Sequence, residues 1–260
     1  MSRSLDAVLV VPCYNEARRF DARAFLGLSR SADTALLLVD DGSTDDTSRI
    51  LSDLAREEPE AISTLRLPKN LGKGEAVRIG LQRALEARAS VVGYADADLS
   101  TPPEELANLL AVARSGRADA VLGSRISFLG AEIHRARSRH YFGRAFATAA
   151  SLVLGIPVYD TQCGAKFFRA TPSLRASLEE PFHGAWVFDV ELLGRLLIGA
   201  PGVPAVPLER FVEVPLRRWT DVPGGTLDGL DLVRAAADLV AVGLSLSRRR
   251  DAIRRSEQGR

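Results

Sequence analysis

The feature that most constrains this chain is an apolar run stopped by two carboxylates: Val91-Val92-Gly93-Tyr94-Ala95, then Asp96-Ala97-Asp98-Leu99-Ser100. An apolar run of that length, closed by turn and capping residues, predicts a buried strand. Thr101, followed by Pro102 and three residues on by Glu104, reads as a helix start: a cap, a first-turn proline and a capping-box acid. Two carboxylates then sit at the carboxyl end of a central strand, in a strand-to-helix loop, where open α/β sheets bind ligands. Asp-x-Asp in extended chain presents hard oxygens that suit Mg²⁺ or Mn²⁺. Taken alone, the motif fits a solvated acidic loop with a helix cap equally well.

The same pattern recurs along the first half. Ala7-Val8-Leu9-Val10-Val11-Pro12 runs into Cys13-Tyr14-Asn15-Glu16, and Ala35-Leu36-Leu37-Leu38-Val39 ends in Asp40-Asp41-Gly42-Ser43. Ile62-Ser63-Thr64-Leu65-Arg66-Leu67 precedes Asn70-Leu71-Gly72-Lys73-Gly74, and Ala118-Asp119-Ala120-Val121-Leu122-Gly123 ends at Ser124-Arg125. Helical patterns lie between. One carries Asp45 and Asp46 in its expected first turn and Ile50, Leu51 and Leu54 on one face. The next has Val77, Leu81, Ala84 and Leu85 on one side, and a third passes through Leu106, Leu109 and Leu110. Strand and helix in alternation predict an α/β fold, a mainly parallel sheet with helices on both faces. A Gly-x-Gly-x-x-Gly after the first strand and a Gly-x-x-x-x-Gly-Lys-Ser/Thr are both missing, which disfavours dinucleotide and P-loop readings. Acidic loops with a metal pair suit a nucleoside diphosphate held through base, ribose and metal-bound phosphates.

At 260 residues and 46% hydrophobic, the chain can bury a core the size of one large domain. A net charge of +1 gives no field that would attract nucleic acid. Cys13 and Cys163 lack the spacing of a zinc site or a disulfide framework and suit a reducing compartment. Neither a signal peptide nor a membrane-spanning run is expected.

The second half is less regular. Residues 126–139 hold His134, Arg135, Arg137 and Arg139 and read as a mobile loop over the site or as an ordinary basic surface loop. Residues 141–154 read as a core helix, or as one lying in a membrane surface. A polar cluster, Asp160-Thr161-Gln162-Cys163-Gly164-Ala165-Lys166, separates two apolar segments, and Trp186-Val187-Phe188-Asp189-Val190-Glu191-Leu192 opens another helix. Residues 203–216 read as a strand and 219–226 as a loop. Residues 230–255 predict a helix whose end carries Arg248, Arg249, Arg250, Arg254 and Arg255. That end is a solvated tail or a surface for anionic lipid headgroups.

Together these motifs resemble family 2 glycosyltransferases of the GT-A fold, from about Val8 to Thr226. Val11-Pro12-Cys13-Tyr14-Asn15-Glu16, Val39-Asp40-Asp41-Gly42-Ser43, Asn70-Leu71-Gly72-Lys73-Gly74 and Asp96-Ala97-Asp98 stand in that family's order. Gly123-Ser124-Arg125, Asp160 to Gly164 and Trp186 to Leu192 resemble the dolichyl- or polyprenyl-phosphate β-glucosyltransferase branch. Asp98-Leu99-Ser100 with Pro102-Pro103 looks more like dolichyl-phosphate mannose synthases. Ala165 departs from that glucosyl branch, which usually has a bulky aromatic there.

The resemblance implies a catalytic domain over residues 1–226, with a nucleotide-sugar half at 1–125 and an acceptor half at 126–226. An amphipathic basic helix and tail at 227–260 would follow. It implies inverting transfer of a hexose, glucose from UDP-glucose, onto a lipid phosphate, by an enzyme peripheral to the cytoplasmic membrane face. Asp98 and Asp96 would hold the Mg²⁺ or Mn²⁺ that neutralises the departing nucleotide. Pro12, Tyr14, Asn15, Glu16, Asp40, Asp41, Lys73, Asp96 and Ala97 would line the donor site. A phosphate monoester, with a second pKa of ~6, needs cations more than a general base. Arg125, Arg139 and Lys166 are the candidates to hold it. Asp160 would act with Asp98 and Arg125 in catalysis, and Asp189 would orient acceptor or sugar or serve its helix start. Four alternatives remain open at this point: GDP-mannose as donor, a soluble hydroxyl acceptor, a nucleotide-sugar-binding module without turnover, and a nucleotidyltransferase. The last would want a glycine-rich basic loop after the first strand.

Overall fold

A computed structural model describes residues 6–134, 137–184, 186–222 and 229–258, except the side chains of 137–142, 229–232 and 257. Its centre is a seven-stranded sheet. The apolar runs become β1 (Ala7–Cys13), β2 (Ala35–Asp40), β3 (Ile62–Arg66), β4 (Val91–Ala95) and β5 (Ala120–Ser124). A short β6 (Glu132–His134) follows, then β7 (Ala165–Arg169), β8 (Phe211–Pro215) and β9 (Arg218–Thr220). The sheet order is β3-β2-β1-β4-β7-β5-β8, and β6 pairs with β9 in a separate parallel ribbon. Every pairing in the large sheet is parallel except those of β7, which runs antiparallel between β4 and β5. Successive strands build outward from β1 on one side and resume at β4 on the other. The order therefore reverses between β1 and β4, and a crevice opens at their carboxyl ends.

The central strands β1, β2, β4, β5 and β7 are buried on both faces because helices cover both. On one side Leu9, Val11, Leu36, Leu38 and Phe167 pack under α1 (Ala22–Ser31), α2 (Thr47–Glu57) and α4 (Pro103–Arg114). On the other, Val10, Val39, Tyr94 and Phe168 meet α3 (Lys73–Glu86), α5 (Arg137–Leu154), α6 (Pro172–Leu178), α7 (Phe188–Ile198) and α8 (Gly229–Gln258). Residues i and i+1 of a strand point to opposite layers, so Leu9 and Val10 serve different cores.

Several expectations shift. The helix after β2 starts at Thr47, so Asp45 and Asp46 precede it; Asp45 caps by accepting from the Thr47 amide at 3.0 Å. The helix after β4 starts at Pro103 with no side-chain cap, and Thr101 is buried instead. Only Phe211–Pro215 of the 203–216 stretch is strand, behind a 3-10 turn at Leu208–Arg210. Residues 132–134 are not loop but β6, paired to β9. α5 is a core helix, burying Ala147, Ala150 and Leu154. α8 docks through Leu239, Val242 and Leu246, and Arg249 donates to the Gly199 carbonyl at 2.6 Å. No described helix is long and apolar enough to cross a membrane.

Candidate active site

The loops after β1, β2, β3 and β4 meet at the crevice. Cys13 pairs in register with Asp40, so the first two loops leave the sheet side by side. They are stitched together. The Asn15 amide donates to Ser43 Oγ (3.1 Å), Glu16 N–H to Thr47 Oγ1 (2.8 Å) and Thr44 N–H to Asn15 Oδ1 (2.9 Å). Asn15 takes φ +54°, a conformation asparagine tolerates better than most residues. Pro12 lies within β1, and Tyr14 is left 42% exposed at the crevice mouth. Glu16 is clamped by Arg19 at 2.7 Å. Burial, helped by the charges of Asp98 and Asp96, nonetheless lifts its carboxyl above the usual range.

Asp40 accepts from the Ser43 amide at 2.8 Å and faces Arg66 at 3.4 Å. The two oxygens of Asp41 accept from the Leu71 and Gly72 amides at 2.8 and 2.9 Å, which fastens the loop before α3 to the end of β2. These bonds fix the approach to Lys73, the first residue of α3. Gly42, at φ +70°, lies between these loops, where a Cβ would strike the backbone of Lys69 and Asn70.

Four carboxylates and three cations form the centre. Lys73, the first residue of α3, reaches Asp96 at 2.5 Å. Burial opposes the Lys73 charge, but Asp96 and Asp189 outweigh it and raise its pKa. Arg125, at the end of β5, grips Asp160 through Nε (2.6 Å) and Nη2 (2.8 Å), and its own amide adds a third bond at 3.1 Å. Its guanidinium lies 5.1 Å from the Trp219 ring centre. Burial would raise the Asp160 pKa, but the Arg125 charge and hydrogen bonds win and hold it at about 2. The amides of Tyr159 and Asp160 donate to Glu213 on β8, which pins this loop to the sheet.

Lys166 is wholly buried. Its amine donates to the Cys163 carbonyl and to Asp189, each at 2.6 Å, and the Tyr94 hydroxyl bonds the same Asp189 oxygen. The expectation that Lys166 grips an acceptor phosphate is therefore corrected: with zero exposed surface it braces the floor of the crevice. Asp189 stands in the first turn of α7, where the dipole also favours it, and belongs to the same brace. The side chain of Arg139 lies outside the described residues.

Asp98 differs from its neighbours. Among the described residues Asp96, Asp160 and Asp189 each have a basic partner, whereas Asp98 has only the Ser100 amide, at 3.0 Å. Asp96 Oδ1 is the oxygen that Lys73 reaches. Ala97 between them is buried, and Leu99 takes φ +52°, so the loop turns sharply after Asp98. Two residues the sequence did not flag shape this centre. Gly164 lies directly against the Asp96 carboxylate, and Trp219 backs Arg125. The Gly in the Asp160-to-Gly164 cluster was the only signal for the first; nothing marked Trp219 among other apolar residues.

The sheet order and the acidic loop at its switch point define a GT-A glycosyltransferase fold. Glucosyl-3-phosphoglycerate synthase from Mycobacterium tuberculosis, solved with Mn²⁺, UDP and glucosyl-3-phosphoglycerate, superposes with a TM-score of 0.61. It shares 21% identity, and the match covers 92% of this chain and 79% of that one. Residues 8–175 match the family described as Glycosyl transferase family 2, and the chain belongs to that family. It is a glycosyltransferase. The dolichyl-phosphate beta-glucosyltransferase of Drosophila melanogaster is 32% identical over 249 residues, covering 87% of this chain and 70% of the relative. The polyprenol monophosphomannose synthase of Mycolicibacterium smegmatis is 28% identical over 203 residues, covering 77% and 76%.

Proposed function

We propose that this protein transfers a hexose, glucose from UDP-glucose, with inversion onto a polyprenyl or dolichyl phosphate at a membrane surface, using a divalent cation. The names of the relatives above support a lipid-phosphate acceptor and, by the glucosyltransferase names, a glucosyl donor. The observation that carries the reading is Asp98, a carboxylate at the switch point with no basic partner among the described residues. Asp98 stands beside Asp96 at the carboxyl end of β4 while the neighbouring acids are neutralised within the protein.

The donor set fits a hard cation. Asp96 and Asp98 offer two carboxylates side by side, and Asp98 carries no basic partner among the described residues. Among the described residues no third His, Cys, Asp or Glu completes a cluster. A Mg²⁺ or Mn²⁺ there would draw its remaining ligands from the diphosphate and water, and it would supply charge neutralisation for the departing nucleotide. The protein does the rest. Asp40 and the wall of Pro12, Tyr14, Asn15 and Glu16 bound the base and ribose side. Lys73 adds a cation beside Asp96. An oxygen of the acceptor phosphate forms the new bond to the anomeric carbon, and the bond to the nucleotide breaks with its electron pair leaving on the diphosphate. A phosphate dianion brings no proton to remove, so the site needs no general base. Arg125 presents a cation fixed in place by Asp160 and Trp219.

The outer face of α8 supports a membrane surface. Val233, Val240 and Leu244 are exposed there, and Arg248, Arg250, Arg254 and Arg255 are exposed with no ion-pair partner among the described residues.

The test is a donor screen with long-chain polyprenyl phosphate and Mn²⁺, reading sugar extracted into organic solvent. UDP-glucose is expected to label the lipid best. Labelling from GDP-mannose alone overturns the glucosyl assignment, and transfer confined to soluble hydroxyl acceptors overturns the lipid one.

A further inference from the structure

The chain between β5 and β6 carries an apolar tip. Ala131 N–H donates to the Phe128 carbonyl at 3.0 Å and closes a four-residue turn, with Gly130 at φ +88° as a type II turn requires. Phe128 is 43% exposed and Leu129 fully exposed. Two large apolar side chains at the end of a closed turn make an unusual surface feature, since the turn shields neither.

Both ends of this turn are tied to the Arg125–Asp160 pair. On one side Leu129 is four residues from Arg125, at most ~14 Å along the chain. On the other, the Glu132 amide donates to the Arg217 carbonyl at 2.7 Å, and β6 pairs with β9, whose Trp219 lies against Arg125. Glu104 and Glu132 share the single charge of Arg218, and Arg217, exposed with no ion-pair partner among the described residues, offsets the remaining negative charge. The excess of positive charge comes from the residues next in sequence. The sequence continues from β6 with Arg135, Arg137 and Arg139.

We infer that the Phe128–Leu129 turn inserts into an anionic bilayer and seats the Arg125–Asp160 pair at the level of lipid headgroups. This rests on the lipid-phosphate reading above and deepens it. Apolar side chains flanked by cations fit a lipid surface, where the chains enter the acyl boundary and the arginines meet phosphates. A lipid-borne phosphate would then reach Arg125 without leaving the membrane.

The test uses the full chain, its Phe128→Ser/Leu129→Ser variant and Leu129→Trp, with vesicles of phosphatidylcholine alone or mixed with phosphatidylglycerol. The parent is expected to sediment with the mixed vesicles. The double serine variant should bind them about five-fold less, and its transfer to vesicle-borne polyprenyl phosphate should fall with binding. Its transfer to water-soluble citronellyl phosphate should stay within about two-fold of the parent's, since neither side chain touches the charged centre. Leu129→Trp should bind as well as the parent, with indole emission shifting blue. Unchanged vesicle binding by the serine variant, or an unshifted indole in sedimenting protein, overturns the inference. So does a parent that stays in the supernatant, or a serine variant that changes only oligomeric size, which would assign the tip to a second copy. If no phosphate acceptor is used at all, the functional reading fails, while vesicle binding still reports on the turn.

Discussion

Gly164 and Asp96 occupy the same space in turn: a Cβ at position 164 would overlap the Asp96 carboxylate, and the Asp96 amide donates to the Gly164 carbonyl at 3.0 Å. The antiparallel strand β7 therefore begins where the loop after β4 needs a residue without a side chain. Gly164→Ala forces either the carboxylate off Lys73 or the two backbones apart. Overpacking of this kind costs about 1–3 kcal/mol. The expected result is a lower urea midpoint together with at least ~10-fold weaker binding of UDP with Mn²⁺ by calorimetry. Removing the obstacle should restore stability, so Asp96→Ala/Gly164→Ala should be less destabilised than the sum of its parts. Strict additivity would refute the steric account.

Asp98 can be removed with little structural cost because, among the described residues, its side chain bonds the Ser100 amide alone. Asp98→Ala is expected to keep its thermal midpoint within a few degrees and to lose ~10²-fold or more in sugar transfer, the scale seen when one charge-stabilising group is deleted from an active site. Transfer is measured at saturating Mn²⁺, so that a mere affinity loss is compensated. A variant working at the parental rate would remove the basis for a metal at this loop.

These two residues mark how far the sequence could be read. The apolar runs of β1, β2, β4 and β5 are legible because strands buried on both faces must be apolar throughout, and each ended in the polar loop that forms the crevice. The motif order then placed Asp96, Asp98, Arg125 and Asp160 near one another. β7 was not legible: Ala165-Lys166-Phe167-Phe168-Arg169 carries a lysine at its second position, and lysine seldom lies inside a sheet. Its burial depends on Asp189, 23 residues later in the chain, a pairing no local pattern shows. α1 was legible but unread. Asp21 accepts from the Ala24 amide at its start, and Phe25 and Leu28 repeat at helical spacing. The amide bonds of Asp41 were not legible either, because a loop carboxylate that serves backbone amides has the same sequence signature as any other.

The Lys166–Asp189 pair predicts a cost of asymmetry. Both groups are out of water, so Lys166→Met alone strands the carboxylate and should destabilise by about 3–5 kcal/mol. Lys166→Met/Asp189→Leu removes both charges and should recover much of that loss, leaving the Tyr94 hydroxyl and the Cys163 carbonyl without these partners. Urea unfolding of the parent and the variants reads the difference. A double variant no better than the single one would mean that the pair contributes through shape rather than charge.

The Arg125–Asp160 pair predicts an acid limb in stability. Arg125 holds the Asp160 carboxyl at about 2 in the folded protein, below the 3.8 of the free side chain. A depressed carboxyl pKa stabilises the fold fully above the unfolded value and loses that contribution as pH falls through the folded one. The window is therefore from about 4 down to about 2, and the contribution at neutral pH is roughly 2 kcal/mol. Urea midpoints of the parent should drop across that window by more than those of Asp160→Asn, which cannot titrate there. The variant should be the less stable protein near neutrality, because it leaves a buried guanidinium without its counter-charge. The gap between the two should narrow as the pH approaches 2. A gap that holds constant over the whole acid range would show that Asp160 does not draw its stabilisation from the Arg125 charge.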